Sequence, residues 1–289
     1  MKEQLKSYMM LVASMLIFGT IGIFRRYIPL SSAVLACVRG FTGSICIAGY
    51  MKITGRKFRN AGDEKQVLPA AFSGVMIGVN WILLFEAYNY TSVSAATLCY
   101  YMQPAIVLLA SPFLLKERLT GKKVICACAA AAGMILVSGV LENGAEAVNF
   151  RGIFYALGAA ILYASVIILN KLVKMEDMYE RTIIQLSAAA IVIVPYVILT
   201  EDIAEIHLDL FSAVMVLIVG VVHTGIAYAL YFGSMKNLKG QSVAVLSYID
   251  PCTALLLSAL ILHESLTAGG IIGAVLIIGS ALGSELWGE

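Results

Sequence analysis

Two short segments place a tyrosine, a polar residue and a proline inside otherwise apolar runs. Tyr101-Met102-Gln103-Pro104 is the first, and Tyr248-Ile249-Asp250-Pro251 follows it 147 residues later. A proline within a helix cannot donate to the carbonyl four residues earlier, so Pro104 and Pro251 each free one carbonyl. In hydrocarbon such a carbonyl must face protein or a water-filled cavity. The segments therefore predict kinked helices that face a cavity and can swing, and a static kink satisfied by a neighbouring helix is the alternative.

Ionisable residues within apolar runs are the second group that could carry chemistry. Arg39 is the most costly of these, because a charge at the bilayer centre needs a partner in the bundle interior or must reach the surface. Glu86 and Asp250 are its candidate partners and are also candidate proton sites, although simple solvation at the outer surface is an equal alternative for Glu86. His223 could relay protons, but a lone histidine is more often a satisfied interior residue. The predicted coupling or gating residues are Arg39, Glu86, Pro104, His223 and Pro251.

Aromatic residues within the apolar runs indicate a binding site for a planar or amphipathic ligand. Trp81, Phe85 and Tyr88 are spaced 4 and 3 residues apart, which places them on one face of a helix. Other aromatic residues lie well inside their runs, where an interfacial aromatic belt explains them poorly. Rings of this kind bind by stacking and, for cations, by cation–π contact. Including nearby amides, the predicted substrate-binding residues are Phe18, Asn80, Trp81, Tyr100, Tyr101, Gln103, Tyr163, Tyr228, Tyr248 and Asp250.

The elements that must position these residues are membrane-spanning helices. The chain has 289 residues, of which 60% are hydrophobic and 13% are charged, so the apolar excess must face lipid. A net charge of +2 without a basic stripe argues against nucleic-acid binding. Runs long enough to cross a bilayer predict an all-α membrane protein with ten spans, at residues 7–25, 32–53, 67–88, 94–115, 122–141, 151–171, 181–200, 211–232, 241–262 and 268–286.

The basic residues predict the orientation of these spans. If the N-terminus is inside, 16 of the 20 basic residues fall in inside segments and three, namely Arg25, Arg26 and Arg151, fall outside. The remaining one, Arg39, lies within a span. Because lysine and arginine are retained on the cytoplasmic side, we expect a multi-pass protein of the cytoplasmic membrane with both termini in the cytoplasm.

The two proline segments belong to an internal repeat. Thirteen residues after each proline comes a glutamate, Glu117 or Glu264, followed by one residue and then Leu-Thr. We therefore predict one repeat over residues 1–146 and a second over 147–289. Each would contain five spans, and an odd number inverts the second copy relative to the first. Inverted repeats suit alternating access, because one chain then forms two similar structures that open to opposite sides.

This duplicated motif, Tyr-x-x-Pro followed after thirteen residues by Glu-x-Leu-Thr, resembles the EamA-type branch of the drug/metabolite transporter superfamily. The resemblance extends over nearly the whole chain. It implies ten helices around a central cavity near the midplane, and substrates such as amino acids, nucleotide-related metabolites or amphipathic drugs. It also implies that bacterial members commonly export.

A secondary carrier, acting as exporter or exchanger, is the predicted function. The main alternatives are a membrane-embedded enzyme and a passive facilitator or channel, but the sequence lacks the clustered catalytic groups that an enzyme would need. It also lacks a nucleotide-binding loop, which argues against a primary pump, and its three scattered histidines do not make a metal site, so no cofactor or metal is expected. The expected partners are a small-molecule substrate and membrane lipid. Glycines at the spacing typical of close helix packing, such as Gly269 and Gly273 in the last span, leave open a homodimer.

The predicted orientation can be tested at the C-terminus. An alkaline phosphatase that is active only in the periplasm, fused after Glu289, should be silent, because the asymmetry of basic residues places this end in the cytoplasm. The same enzyme fused at Asp202, in a predicted outer loop, is the positive control. High activity of the C-terminal fusion would contradict the ten-span arrangement.

Overall fold

A computed structural model describes residues 2–59, 63–91, 93–137, 149–173, 175, 177–202, 206–262 and 267–286. Their regular secondary structure is helical throughout. The helices of the first half are α1 (Lys2–Arg25), α2 (Ser32–Ile53), α3 (Glu64–Tyr90), α4 (Val93–Tyr100), α5 (Gln103–Leu114) and α6 (Gly121–Val137). Those of the second half are α7 (Phe150–Leu172), α8 (Met178–Thr200), α9 (Leu210–Ile218), a π-helical segment (Val219–Ile226), α10 (Ala227–Ser234), α11 (Gly240–Leu246), α12 (Ile249–Leu262) and α13 (Ala268–Leu286).

Eight helical segments of the described chain are long and apolar enough to cross a membrane. They coincide with predicted spans one to four and six to nine. Predicted span four consists of α4 and α5, span eight of α9 and α10 joined by the π-helical segment, and span nine of α11 and α12. Helices α6 and α13 lie where spans five and ten are predicted, but their described apolar parts are shorter. The structure thus shows an all-helical protein with eight candidate spans, and the count of ten stays a prediction.

Short polar residues begin several of these helices. Ser31, Asp63, Asn149, Asp177 and Asp209 precede α2, α3, α7, α8 and α9, and each side chain accepts a hydrogen bond from a backbone N–H of the first turn. Such caps satisfy donors that have no partner within the helix. The ends of the helices are therefore encoded locally, in the connecting segments outside the apolar runs.

The Glu-x-Leu-Thr motif has a structural role at the other helix ends. Thr120 and Thr267 accept from the amides of Lys123 and Gly270, at 3.4 and 3.0 Å, and so begin α6 and α13. Glu117 reaches into the other half of the chain and accepts the N–H groups of residues 240 and 241, at 2.7 and 3.2 Å, at the start of α11. Its repeat counterpart Glu264 lies outside the described residues.

Helix α3 packs against α7 and α8. Helix α2 lies against α8 and the π-helical segment, while α1 lies against α10 and α12. Buried amides link the helices: Gln185 of α8 donates to Ser73 Oγ of α3 at 2.8 Å and to Asn170 Oδ1 of α7 at 3.1 Å. This is the interhelical role expected of Asn170 and Gln185 from their place in apolar runs.

The π-helical segment is a departure from the predicted regular span. Thr224 Oγ1 donates to the Val219 carbonyl, five residues earlier, at 3.1 Å. Helix α2 approaches this segment closely at Gly43, where an added Cβ would lie 3.0 Å from the carbonyl oxygen of Gly220 and 3.0 Å from the amide nitrogen of Gly225. The tight contact and the wider turn occur together, at the centre of the bundle.

Helices α6 and α13 form a separate pair at one side of the bundle. They meet at two glycines: a Cβ on Gly273 would lie 2.5 Å from the carbonyl oxygen of Gly133, and a Cβ on Gly133 would lie 2.7 Å from that of Gly273. Gly279, two turns further along α13, has nothing within 4 Å of its Cβ direction. Gly273 therefore packs closely against α6, as its spacing predicts, whereas Gly279 faces no other described part of the chain.

This difference predicts the effect of two matched substitutions. Gly273→Ala should lower the free energy of unfolding by about 1–3 kcal/mol, because the new methyl group overlaps a backbone oxygen. Gly279→Ala should leave stability unchanged or raise it by up to about 1 kcal/mol, since alanine is the better helix former. Thermal unfolding of both variants in the same detergent measures this, and equal effects would contradict the described α6–α13 contact.

Candidate functional site

A central cavity of about 380 Å³ lies between the two halves of the chain. Helices α1, α2, α3, α4 and α7, the π-helical segment, α10 and the two helix breaks contribute to its wall. Its polar and aromatic lining residues are Phe18, Arg25, Ser32, Arg39, Trp81, Phe85, Tyr88, Thr97, Tyr100, Tyr101, Gln103, Tyr163, Tyr228, Tyr231, Ser247 and Asp250.

Aromatic rings in mutual contact form most of this wall. The Phe18 ring meets that of Tyr228 edge to face, with centroids 5.1 Å apart, and Trp81 approaches the same tyrosine at 6.1 Å. Tyr163 and Tyr231 stack with an interplanar angle of 5° and a centroid separation of 6.4 Å. Rings fixed against one another lose little conformational freedom when a ligand binds, so the wall is preformed for a flat apolar group.

Arg39 faces the cavity without a carboxylate partner. Its guanidinium carbon lies 4.2 Å from the centroid of the Trp81 ring, and its buried Nε has no hydrogen-bond partner. The predicted ion pair with Glu86 or Asp250 is wrong for the described part of the chain. Glu86 is five residues beyond Trp81 on α3, about 7.5 Å further along the axis, and it accepts from the hydroxyl of Tyr196 at 2.5 Å instead.

Asp250 is held by the other half of the chain. Tyr101 Oη donates to its Oδ2 at 3.0 Å, and Tyr248 Oη donates to the Tyr101 carbonyl at 3.0 Å. Both tyrosines belong to the duplicated motif, and their rings lie 6.5 Å apart. The two motif segments thus bond directly to each other, at the wall of the cavity.

The helix breaks differ in one respect from the sequence expectation. They fall at residues 101–102 and 247–248, just before the prolines, so Pro104 and Pro251 stand in the first turns of α5 and α12. The Ser247 carbonyl, expected to be free, accepts the Asp250 amide at 3.3 Å. A hydrogen bond between residues three apart, instead of four, therefore satisfies the carbonyl that the proline cannot bond to.

Eight of the ten predicted substrate-binding residues line the cavity. Asn80 and Tyr248 do not line it. Asn80 is fully buried, and its Nδ2 donates to the Ala159 carbonyl at 2.6 Å, which joins α3 to α7. The Tyr248 hydroxyl donates to the backbone carbonyl of Tyr101, which does line the cavity.

Of the predicted coupling or gating residues, only Arg39 lines the cavity. Pro104 and Pro251 are buried beside it in α5 and α12. His223 lies in the π-helical segment with Nε2 2.7 Å from Thr20 Oγ1. Thr20 Oγ1 also lies 2.7 Å from the Ile17 carbonyl oxygen, so the Thr20 hydroxyl joins His223 to the backbone of α1.

Several lining residues were absent from the predicted set. Tyr231 is an aromatic residue within a predicted span but is not among the predicted site residues, and Arg25 bears only on the predicted orientation. Thr97 and Ser247 carry no sequence signal beyond lying three or four residues before a motif residue.

The lining of the cavity extends to one end of the bundle. Arg25, at the end of α1, and Ser32, at the start of α2, mark the end predicted to be outside. Toward the predicted cytoplasmic end, Arg181 donates to the carbonyls of Asn170 and Phe232. Lys171 Nζ likewise donates to the carbonyls of residues 235 and 238. These bonds join α7 and α8 to α10 and its following turn.

Comparison with known proteins agrees with this arrangement. A model of the EamA-like transporter family matches residues 5–139 and again residues 150–285. A protein of Bacillus subtilis (strain 168) named "Uncharacterized transporter YxxF" is 28% identical over 265 residues, which cover 89% of this chain and 82% of that protein. Protein PecM of Dickeya dadantii (strain 3937) is 26% identical over 240 residues, which cover 81% of this chain and 78% of that protein.

A crystal structure of another protein has the same fold, with a TM-score of 0.86 at 19% identity, and the match covers 97% of this chain and 98% of that one. The two family matches together span nearly all of the sequence and include both copies of the proline motif. The resemblance stated from the motif is thereby confirmed, and the chain belongs to the EamA-like transporter family.

Proposed function

We propose that this protein is a secondary carrier that moves a small organic metabolite across the cell membrane by alternating access, as an exporter or exchanger. The observation that carries the proposal is a cavity between the two halves whose lining extends to one end of the bundle, while hydrogen bonds of Arg181 and Lys171 join helices at the other end. In this proposal ten helices form two inverted repeats, both termini are cytoplasmic, and the structure corresponds to the outward-facing state.

The lining of the cavity supports a substrate that combines an aromatic or apolar body with a carboxylate. The rings of Phe18, Trp81 and Tyr228 offer an apolar surface. Arg39 offers a cation that no described carboxylate neutralises, and a guanidinium binds a carboxylate through two parallel hydrogen bonds. Amino acids with large side chains satisfy both requirements.

An exchange assay in proteoliposomes tests this substrate class. A screen over amino acids, nucleobases and quaternary amines should select an amino acid with a large side chain. The wild type should prefer that amino acid over its carboxamide by at least about tenfold, because the amide cannot form charge-assisted bonds with Arg39. In Arg39→Gln this preference should disappear, while exchange of the carboxamide persists.

Arg25→Gln is the matched control, because Arg25 also lines the cavity but donates to the carbonyls of Ile28 and Leu30 at 2.5 and 2.7 Å. This variant should keep the preference. Selection of quaternary amines by the screen, or equal loss in both variants, would refute the proposed role of Arg39.

The coupling of transport to protons is tested at Asp250. A proton-coupled carrier needs an ionisable group in the cavity, and the repeat counterpart Gln103 cannot titrate. In Asp250→Asn, exchange should continue while accumulation driven by an imposed pH gradient is lost. Undiminished accumulation would exclude Asp250 as the coupling site. Loss of exchange together with accumulation would assign Asp250 to substrate binding, and a wild type that ignores the gradient would be a facilitator.

A further inference from the structure

A second cavity, of about 570 Å³, lies at the predicted cytoplasmic end of the same helices. Its wall comes from α1, α7, α8, α10 and the turn that follows α10. Four basic side chains line it, and Glu3 is the one acidic residue among its described lining. We call it the basic pocket, and its charged members are Glu3, Lys6, Lys171, Arg181 and Lys236.

Two of these cations are held in place by backbone carbonyls, and Lys171 also interacts electrostatically with Glu117. Arg181 is 4% exposed, donates to the carbonyls of Asn170 and Phe232, and has a buried Nε with no partner. Lys171 Nζ donates to two carbonyls in the turn after α10. A carbonyl satisfies a donor but leaves the positive charge in place. A guanidinium has five donor hydrogens and an ammonium three, so unused donors remain on both side chains.

The remaining lining divides between polar groups and flexible apolar ones. Lys6 and Lys236 are exposed and extend the positive charge toward solvent. Asn237 Nδ2 donates to Ser7 Oγ at 3.1 Å, which joins α1 to the turn after α10. The apolar side chains are the methionines 10, 175, 178 and 235, together with Leu172 and Val173. Methionine adapts its shape to varied apolar groups, so this wall can accept the body of a ligand whose charged end meets the cations.

We propose that the basic pocket binds a phosphate-type oxyanion, carried either by an anionic phospholipid headgroup or by a free phosphate compound. A concave group of lysine and arginine side chains at the cytoplasmic boundary attracts such anions electrostatically, and basic pockets between spanning helices are known to hold phospholipid headgroups. Bound there, the anion contacts Lys171 and Arg181, the side chains whose hydrogen bonds close this end. It therefore stabilises the closed arrangement relative to one in which these helices separate.

Thermal unfolding of the purified full-length protein tests the site without reference to transport. Sodium phosphate is compared with sodium chloride at equal ionic strength. A phosphate concentration of about 100 times Kd should raise the Tm of the wild type by about 5 °C relative to chloride. In a second arm, native mass spectrometry after exchange into mixed lipid should show preferential retention of phosphatidylglycerol over phosphatidylcholine if the headgroup is the source of the phosphate.

The double variant Lys6→Gln/Lys236→Gln should weaken binding about fivefold for each lysine removed. Both residues are exposed, so the substitutions keep the packed helices intact. Lys52→Gln/Lys65→Gln is the matched control, since it removes the same charge from exposed positions at the same end but outside the pocket.

If the pocket variant loses the Tm shift in phosphate or the retention of phosphatidylglycerol, and the control keeps it, the site is supported. Which of the two effects is lost identifies the source of the phosphate. A wild type that responds to neither phosphate nor phosphatidylglycerol overturns the proposal. Equal weakening in both variants also overturns it, because the attraction would then belong to the general surface charge. A failure of the transport assays above would leave these binding results unaffected.

Discussion

The structure depends on how the chain satisfies its backbone where two helices break at membrane depth. At residues 101–102 and 247–248 the regular hydrogen bonding stops, and hydrocarbon offers no water to replace it. The chain solves this in two ways. At the second break a tighter turn satisfies the Ser247 carbonyl, and at the first break the Tyr248 hydroxyl of the other half donates to the Tyr101 carbonyl. Tyr101 in turn donates to the side chain of Asp250, so the two breaks are joined. The cavity lies where these exchanges occur, so its position follows from the same requirement.

The two halves are related but not equivalent, and the difference is concentrated at the cavity. Gln103 and Asp250 occupy matching positions of the duplicated motif. Asp250 is bonded to Tyr101, whereas Gln103 is 3% exposed and its Oε1 has no hydrogen-bond partner in the described structure. A duplicated scaffold thus carries one charged and one neutral group at the same place. The two copies of the motif therefore differ in chemistry at the wall of the cavity.

Much of the fold and the site could be read from the sequence, for identifiable reasons. Apolar runs determine helices because lipid permits little else, and strongly polar residues deep in those runs, such as Asn80 and Gln185, must face the interior. The partner of Arg39 could not be read, since it depends on the relative height of side chains on α2 and α3. The π-helical segment could not be predicted either, because its composition suits an α-helix equally well. Contacts between distant segments decide both features.

The π-helical segment also affects how relatives should be compared. A π-helix takes in more residues per turn than an α-helix, so it changes the angular position of everything that follows it in the span. Removing a single residue from an α-helix rotates the later side chains by about 100°. A relative with a regular helix here could keep the same apolar composition and still turn its counterparts of Tyr228 and Tyr231 away from the cavity. When this binding site is aligned with that of a relative, the alignment should therefore begin in α10, after the π-helical segment. It should match the residues that face the cavity and not the residues that have the same order in the chain.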